Sequence, residues 1–597
     1  MTRMNEETLS RCCLDTLTED ENGLVICLDQ STLPDFLVEA NEAIRVGNLD
    51  TTRDLLNEQH EALLTDLISR NPTRTDVMFI WARLLKEIHS LERAEHWYKR
   101  IVEVTPNVQV YLDLHKICAE GRGRLTEAID YAEQASRLDP DNVTILMCLG
   151  KSLIAAGQRK RGRELLRKTV RLRPDLSTCL ATLLWYEHYF EEWGRTQFYQ
   201  AYQSLSQIKT HDSFVYTTYD NDPNPERRLR IGLLSSNFMN SSAAFTLEPF
   251  LDGYDRDTLE VVGYGNVAKP DHVTDRMTPK LDGFTNIFGL PYGEVARLIR
   301  ADKIDILVEV AGLCADNSLG VMKYQAAPVQ VDWGGLDTSA VPEIAYRFSD
   351  IVLDPPDRQR CYLEETVYLK GGMFCFRPVT KSPLVGPLPA LRNGFVTFGS
   401  FNNCKKISDT TLATWVEVLQ KNPNSHLFLK LADAQDELVR KTYLAMFTRC
   451  GIAPERIHIK GHMSHMDHFQ VLGEVDIMLD TFPFNGFVST FDALWMGVPV
   501  VSLCGETWVG RGGASILKHV GLDVFVAYSP QEYVQKACAF ANQLDQLNAI
   551  RHSLRPLLLQ SPLCDCRRLA WGLEKEFRFM WRQWVSKGMT QEDGAVT

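Results

Sequence analysis

Four prolines, Pro72, Pro106, Pro140 and Pro174, stand 34 residues apart along the first third of the chain. A spacing this regular dictates a structural repeat. Each unit has room for two antiparallel helices and a turn, with proline closing the second helix. Counting back 31 residues from the last three prolines starts the units at Thr75, Gln109 and Val143. Paired helices approach closely only across small residues. The first helix of each pair offers Ala82 and Gly150, with Lys116 as the exception. The second offers Ala94, Ala128 and Gly162, and Tyr98 takes the aromatic position. The segment from Leu33 to Asn71 reads as a divergent fourth pair.

Period and pattern are those of the tetratricopeptide repeat, whose stacked pairs form a curved groove for extended peptides or partner proteins. Such an array carries no chemistry, so any catalytic work lies downstream. A helical stretch from Ser177 to Gln207 caps it, and the polar, proline-bearing run from Thr210 to Arg228 is a linker. From Leu229 the periodicity changes to buried strands alternating with helices. Strands are expected at Leu229–Ser235, Leu259–Gly265, Ile304–Ala311, Val329–Trp333 and Ile351–Leu353, with a helix at Tyr292–Ala301. A second set begins near Val396, and strand-helix alternation of this kind builds parallel sheets. The expected organisation is an N-terminal segment (1–30), a repeat domain (31–209), a linker (210–228), two α/β domains (229–387 and 388–585) and a disordered tail (586–597). The aromatic-rich helix Cys566–Trp584 is expected to pack across both α/β domains.

The most informative stretch is EVDIMLDTFPFNGFVSTFDALWMGVPVVSL, Glu474 to Leu503. It reads as a buried strand, a tight loop from Asp480 to Val488, a helix from Ser489, and a second buried strand. A helix start presents unpaired N–H groups and partial positive charge, a natural seat for a diphosphate. Asp492, in the first turn, can accept hydrogen bonds from ribose hydroxyls. The competing reading is an ordinary strand-to-helix loop capped by Ser489.

Bulk properties narrow the function classes. A net charge of -13 argues against nonspecific binding to nucleic acid or anionic membranes. No apolar run is long enough to span a bilayer, and the polar N-terminus lacks a signal-peptide core, so a cytoplasmic location is expected. The cysteines form no CxxC pair, which argues against structural zinc and for buried, reduced thiols.

Taken together, the helix-pair array followed by RLRIGLLSSNF, APVQVDW, FGSFNNCKKIS, LDTFPFNGFVSTFDALWMGVPVVSL and GETWVGRGGAS resembles the O-linked N-acetylglucosamine transferase family, which includes SPINDLY-type and bacterial members. The resemblance runs from about Leu33 to Trp584. It implies α-helical tetratricopeptide repeats followed by an α/β GT-B fold, two Rossmann-like domains with a central cleft. It further implies an inverting transferase that moves a sugar from a nucleotide sugar, UDP-N-acetylglucosamine (UDP, uridine diphosphate) or another, to Ser or Thr of a protein, with no metal or other cofactor. Bacterial architectures of this kind act on flagellins or other secreted proteins.

By the same resemblance, Lys406 contacts the donor diphosphate, and a loop lysine there can offset charge on the leaving group. Asn403 lies near the donor, the Met463 and His462 backbone meets the base, and His468 packs on the uracil ring. Ser489, Thr490 and Asp492 take the phosphate and ribose roles. Arg511 matches a family arginine, with a structural contact as its alternative. His458, His462, His465 and His468 also invite a metal reading, which no accompanying carboxylate motif supports.

The first α/β domain departs from the family. Ser241 stands where relatives carry a histidine, Leu313 replaces a second one, and the WLGYPGT loop becomes WGGLDTS. A serine is no general base near neutral pH without help. Asp332, Asp337 and Glu309 are candidate bases in its place. Three readings stay open: a pocket that includes Ser242 reshaped for another donor sugar, a mechanism without a side-chain base, or a degenerate adaptor that only binds. A sugar-nucleotide epimerase is a further rival, but it has no use for a peptide-binding array.

Overall fold

The computed structural model describes residues 17–19, 25–27, 33–45, 49–121, 123–208, 214–241, 243–314, 316–334, 336–379 and 381–593. The chain divides into two compact units, 1–153 and 154–597. In the first unit a short antiparallel ladder, β1 (Leu17–Glu19) with β2 (Val25–Cys27), precedes a helical array. The helices Thr75–Glu87, Val108–Glu120 and Val143–Ala155 start where the proline period places the units, within one residue, and Leu91–Val104 and Leu125–Leu138 are the second helices of the first two units. Ala82, Ala94 and Ala128 are fully buried, beside Trp81, Trp97 and Tyr98. Leu33–Asn71 departs from the expected pair and forms three helices, Asp35–Arg45, Leu49–Leu55 and Glu58–Arg70. Asn57 causes the extra break: its side chain accepts from His60 N at 3.0 Å and starts a new helix.

The second unit opens with helices Arg159–Leu172, Ser177–Glu187 and Arg195–Gln207. A repeat domain closing at residue 209 was expected, yet these helices belong with the α/β domains. The physical reason is apolar burial: Leu184, Phe198, Tyr202 and Leu205 form one cluster with Ala340, against which Leu313 packs.

Two parallel sheets follow. The first contains β3 (Leu229–Ser235), β4 (Leu259–Gly265), β5 (Gly283–Asn286), β6 (Ile306–Glu309), β7 (Val329–Asp332), β8 (Tyr346–Ser349) and β9 (Glu365–Tyr368), in the order β5-β4-β3-β6-β7-β8-β9. The second contains β10 (Thr397–Ser400), β11 (His426–Lys430), β12 (Ile457–Lys460), β13 (Ile477–Leu479), β14 (Val500–Leu503) and β15 (Val526–Ala527), in the order β12-β11-β10-β13-β14-β15. The helix Tyr292–Ala301 falls where expected. Ile351–Leu353 is a turn and not a strand, because the Asp350 carboxylate accepts from Val352 N at 2.8 Å and Leu353 N at 2.9 Å.

The last helix runs from Cys566 to Asp593, past the point where disorder was expected to begin. Phe577 packs edge-on against Phe250 and Phe348 of the first α/β domain. Arg578 donates to the carbonyls of Pro225 and Arg227, both at 2.7 Å, which fixes the end of the linker.

Strand order reverses between β3 and β6, and again between β10 and β13. Ligands of open parallel sheets bind at such switch points, beyond the carboxyl ends of the strands. The segments leaving β10 and β13 carry most of the residues singled out from the sequence.

Candidate functional site

The loop after β13 is organised by one buried carboxylate. Asp480 Oδ1 accepts from Thr481 N at 2.9 Å and Gly486 N at 2.7 Å, while Oδ2 accepts from Ser502 Oγ at 2.6 Å. Burial pushes Asp480 above the ordinary carboxylate range, against the pull of those bonds and of Lys406. Asn485 closes the loop from inside, donating to Thr481 O at 2.9 Å. A side chain at Gly486 would force its neighbours to move, since a Cβ would lie 2.3 Å from Ser489 Oγ and 2.8 Å from Asn402 Oδ1.

The loop delivers the chain into the helix Val488–Trp495, one residue earlier than the sequence suggested. Ser489 does not cap it. Its hydroxyl donates across the switch point to Asn402 Oδ1 at 2.8 Å. No side chain caps the helix, and the N–H groups of Thr490 and Phe491 donate instead to Phe487 O, at 3.0 and 3.2 Å. Thr490 turns inward, its hydroxyl donating to Gly486 O at 3.0 Å.

Lys406 closes a short turn, Cys404–Lys406, just beyond β10. Its ammonium donates to Asn485 O at 2.7 Å and sits 4.0 Å from the centroid of the Phe484 ring. Burial holds it below the ordinary lysine range, with Asp480 opposing. A cation is therefore held at the switch point, against the loop that leads to the helix tip. Asn403, in contrast, is spent on its own turn: Oδ1 accepts from Lys405 N at 3.0 Å, and the residue is exposed. Its neighbour Asn402, not singled out from the sequence, is the buried one that reaches Ser489 and Asp480.

A second cluster adjoins the same helix. Asp492 follows Ser489 by three positions, hence on the same face. Its Oδ2 accepts from His468 Nε2 at 3.1 Å, and Lys430 Nζ, from the end of β11, donates to His468 Nδ1 at 3.3 Å. Both ring nitrogens are engaged, which fixes the orientation of the imidazole. Phe401 meets it edge-on at 5.5 Å. Burial lowers the Lys430 pKa, with Asp492 opposing. Sequence reasoning missed Lys430 because nothing in a strand-end lysine announces its neighbours. Met463 is half-buried between exposed His462 and Ser464, and Gln435 holds this loop by donating to His462 O at 3.3 Å. The four histidines do not gather: His458 pairs with His426 at 2.9 Å, and His465 is exposed against Phe469.

Arg511 makes structural contacts in this arrangement. Its guanidinium donates to Val352 O at 2.7 Å and Gly505 O at 3.0 Å, tying one α/β domain to the other.

On the facing sheet the candidate bases are engaged in structure. Glu309 accepts from Ala311 N at 3.0 Å and Gly312 N at 2.7 Å, capping its own loop, and burial with Asp332 nearby pushes its pKa well up. Asp332 is buried at the end of β7. Asp337 accepts from Trp508 N at 3.4 Å and lies 3.5 Å from His188 Nε2. Ser241 Oγ accepts from Ala244 N at 3.2 Å at the start of the helix Ala244–Gly253. Ser242 lies outside the described residues.

Comparison with known proteins fits this geometry. A probable UDP-N-acetylglucosamine–peptide N-acetylglucosaminyltransferase SPINDLY of Solanum lycopersicum is 36% identical over 421 residues, 70% of this chain and 45% of that protein. The Arabidopsis thaliana protein of the same name is 36% identical over 420 residues, 69% of this chain and 46% of its own length. The chain thus spans less than half the length of these curated relatives. A solved structure of a lysine-to-methionine mutant of Thermobaculum terrenum O-GlcNAc transferase superposes with a TM-score of 0.80 at 28% identity, covering 86% of this chain and 98% of that one. The GT-B architecture expected from the sequence is therefore the fold observed. The family model for glycosyl transferase family 41 matches residues 199–377 and 388–573, more than half of the 597 residues, and the chain belongs to that family.

Proposed function

We propose that this protein is an inverting transferase that moves a sugar from a pyrimidine nucleotide sugar, UDP-N-acetylglucosamine or another UDP-sugar, to a serine or threonine hydroxyl of a polypeptide, with UDP as the leaving group. The observation that carries the reading is the position of Lys406. Its ammonium lies at the switch point of the second sheet, against the loop that opens the helix Val488–Trp495. The diphosphate occupies the tip of that helix, where backbone N–H groups and Lys406 receive its charge. One turn further, Asp492 receives the ribose hydroxyls and His468 offers its ring to the base. As the acceptor oxygen bonds to the anomeric carbon, the bond to the diphosphate breaks and its electrons leave with the nucleotide. Lys406 stabilises that charge. Glu309 and Ser241 are engaged with backbone groups, and in this proposal the acceptor proton passes to water or to a phosphate oxygen without calling on a side-chain base. The family membership and the names of the relatives support the donor and acceptor classes.

The test is intact-mass analysis of a serine- and threonine-containing peptide panel incubated with UDP-sugars, alongside UDP binding by calorimetry. Addition of one sugar mass that is lost in Lys406→Ala supports the reading. UDP binding with no transfer to any peptide favours an adaptor, and absence of both overturns the reading.

A further inference from the structure

Lys406 is held from a direction that the two-domain description leaves out. Arg159, on the helix Arg159–Leu172, is 6% exposed, yet its hydrogen bonds go to carbonyls and not to a carboxylate. One arm of the guanidinium donates to Lys405 O, the carbonyl immediately before Lys406, and the other to Tyr189 O. The Tyr189 ring stacks on Phe484 with centroids 5.3 Å apart and planes at 20°. Phe484 is the ring that carries the Lys406 ammonium at 4.0 Å. The same turn is fastened twice more, by Cys404 Sγ donating to Ala155 O at 3.4 Å and by Tyr443 OH donating to Cys404 O at 3.3 Å. A buried cation is expensive unless it satisfies something specific. Here a single guanidinium fixes both the backbone that bears Lys406 and the backbone behind the ring on which its ammonium rests.

We infer that Arg159 is a positioning residue for Lys406, so that the helical segment 154–208 forms part of the diphosphate site. The inference rests on the donor-site reading above. Losing Arg159 releases the Lys405 carbonyl and lets the Tyr189–Phe484 stack shift, and the ammonium loses its aim at the diphosphate. Nothing in the inference requires Arg159 to touch the nucleotide.

A double-mutant cycle on UDP affinity separates this role from general destabilisation. The full chain is titrated with UDP as wild type, Arg159→Met, Lys406→Met and the double variant, with melting temperatures recorded for each. Arg159→Met is expected to raise the Kd about fivefold in the wild-type background and less than about twofold when Lys406 is already methionine. Equal weakening in both backgrounds, or none in either, overturns the inference. If Lys406→Met alone leaves UDP affinity unchanged, the donor-site reading itself fails, an outcome distinct from loss of coupling. Should Arg159→Met fail to fold, Arg159→Lys takes its place, since an ammonium reaches one carbonyl but not both, and the same pattern is required of it.

Discussion

Replacing Gly486 by alanine tests the loop on which the whole site depends. The backbone at Gly486 needs no left-handed conformation, so the new methyl acts by crowding alone. It would arrive 2.3 Å from Ser489 Oγ, 2.8 Å from Asn402 Oδ1 and 3.1 Å from Asp480 Oδ1. Ser489 can rotate away, but only by surrendering its bond to Asn402, a loss of about 1 kcal/mol. Asp480 must give ground while still accepting from Gly486 N, and a strained charge-assisted bond forfeits about 1–2 kcal/mol. The stiffer unfolded chain returns about 0.5 kcal/mol. The net is a destabilisation of about 2 kcal/mol, which in a unit this large lowers the melting temperature by roughly 2–4 °C. The functional effect is separate. Displacing the helix tip costs at least one backbone donor to the diphosphate, so UDP affinity is expected to fall about tenfold. Differential scanning calorimetry and UDP titration on the same sample read both numbers. A variant that melts and binds UDP like the wild type would refute the argument that this loop is packed around Asp480 and cradles the ligand.

Asp492→Asn is expected to weaken UDP binding about tenfold while leaving affinity for inorganic pyrophosphate within about twofold, because its carboxylate serves the ribose and not the diphosphate; competition titration distinguishes the two. Burial lowers the Lys406 pKa, so UDP affinity is expected to decline with rising pH before an ordinary lysine would lose its proton, and Lys406→Met is expected to flatten that alkaline limb. Glu248 binds Arg276 at 2.7 Å, Lys280 at 2.8 Å and Arg377 at 2.5 Å. Burial alone would raise its pKa, but those cations hold it down to about 2. Its folded value is depressed, so its stabilising contribution is complete above the unfolded carboxylate range near pH 4.5 and fades as pH falls toward 2. Glu248→Gln is expected to lose about 2 kcal/mol at pH 7, with the gap to wild type narrowing below about pH 4.5 in urea melts.

The proline period placed the repeat units because proline lacks the N–H that continues a helix, so each of the four falls just past a helix end, although Pro249 and Pro556 show that packing can hold a proline inside one. Strand positions were legible where nearly every side chain is buried, as in Leu229–Ser235 with Arg230 the exception, since such burial demands a mostly apolar run. The miss at Ile351–Leu353 came from Asp350, whose turn-forming carboxylate outweighs three apolar residues in a row. The site was half legible. Asp492 stands out by its place in the first turn of a helix read from Ser489, and Lys406 and His468 stand out through the family resemblance, whereas the choice between Asn402 and Asn403 depends on which way one turn faces. Asp480 and Lys430 act through neighbours 20 or more residues away, such as Ser502 and His468, and no local pattern encodes those distances. Arg159 lies further still, in a helix whose repeat signature pointed to peptide binding, so its grip on the Lys405 carbonyl emerges only in three dimensions.

Calorimetric titration of the wild-type chain with UDP addresses the main proposition most directly. The account requires saturable one-to-one binding that ADP competes for poorly, because His468 and the Met463 loop meet the pyrimidine end while Lys406 takes the phosphates. Absence of binding at millimolar UDP, or equal affinity for ADP and inorganic pyrophosphate, would contradict it.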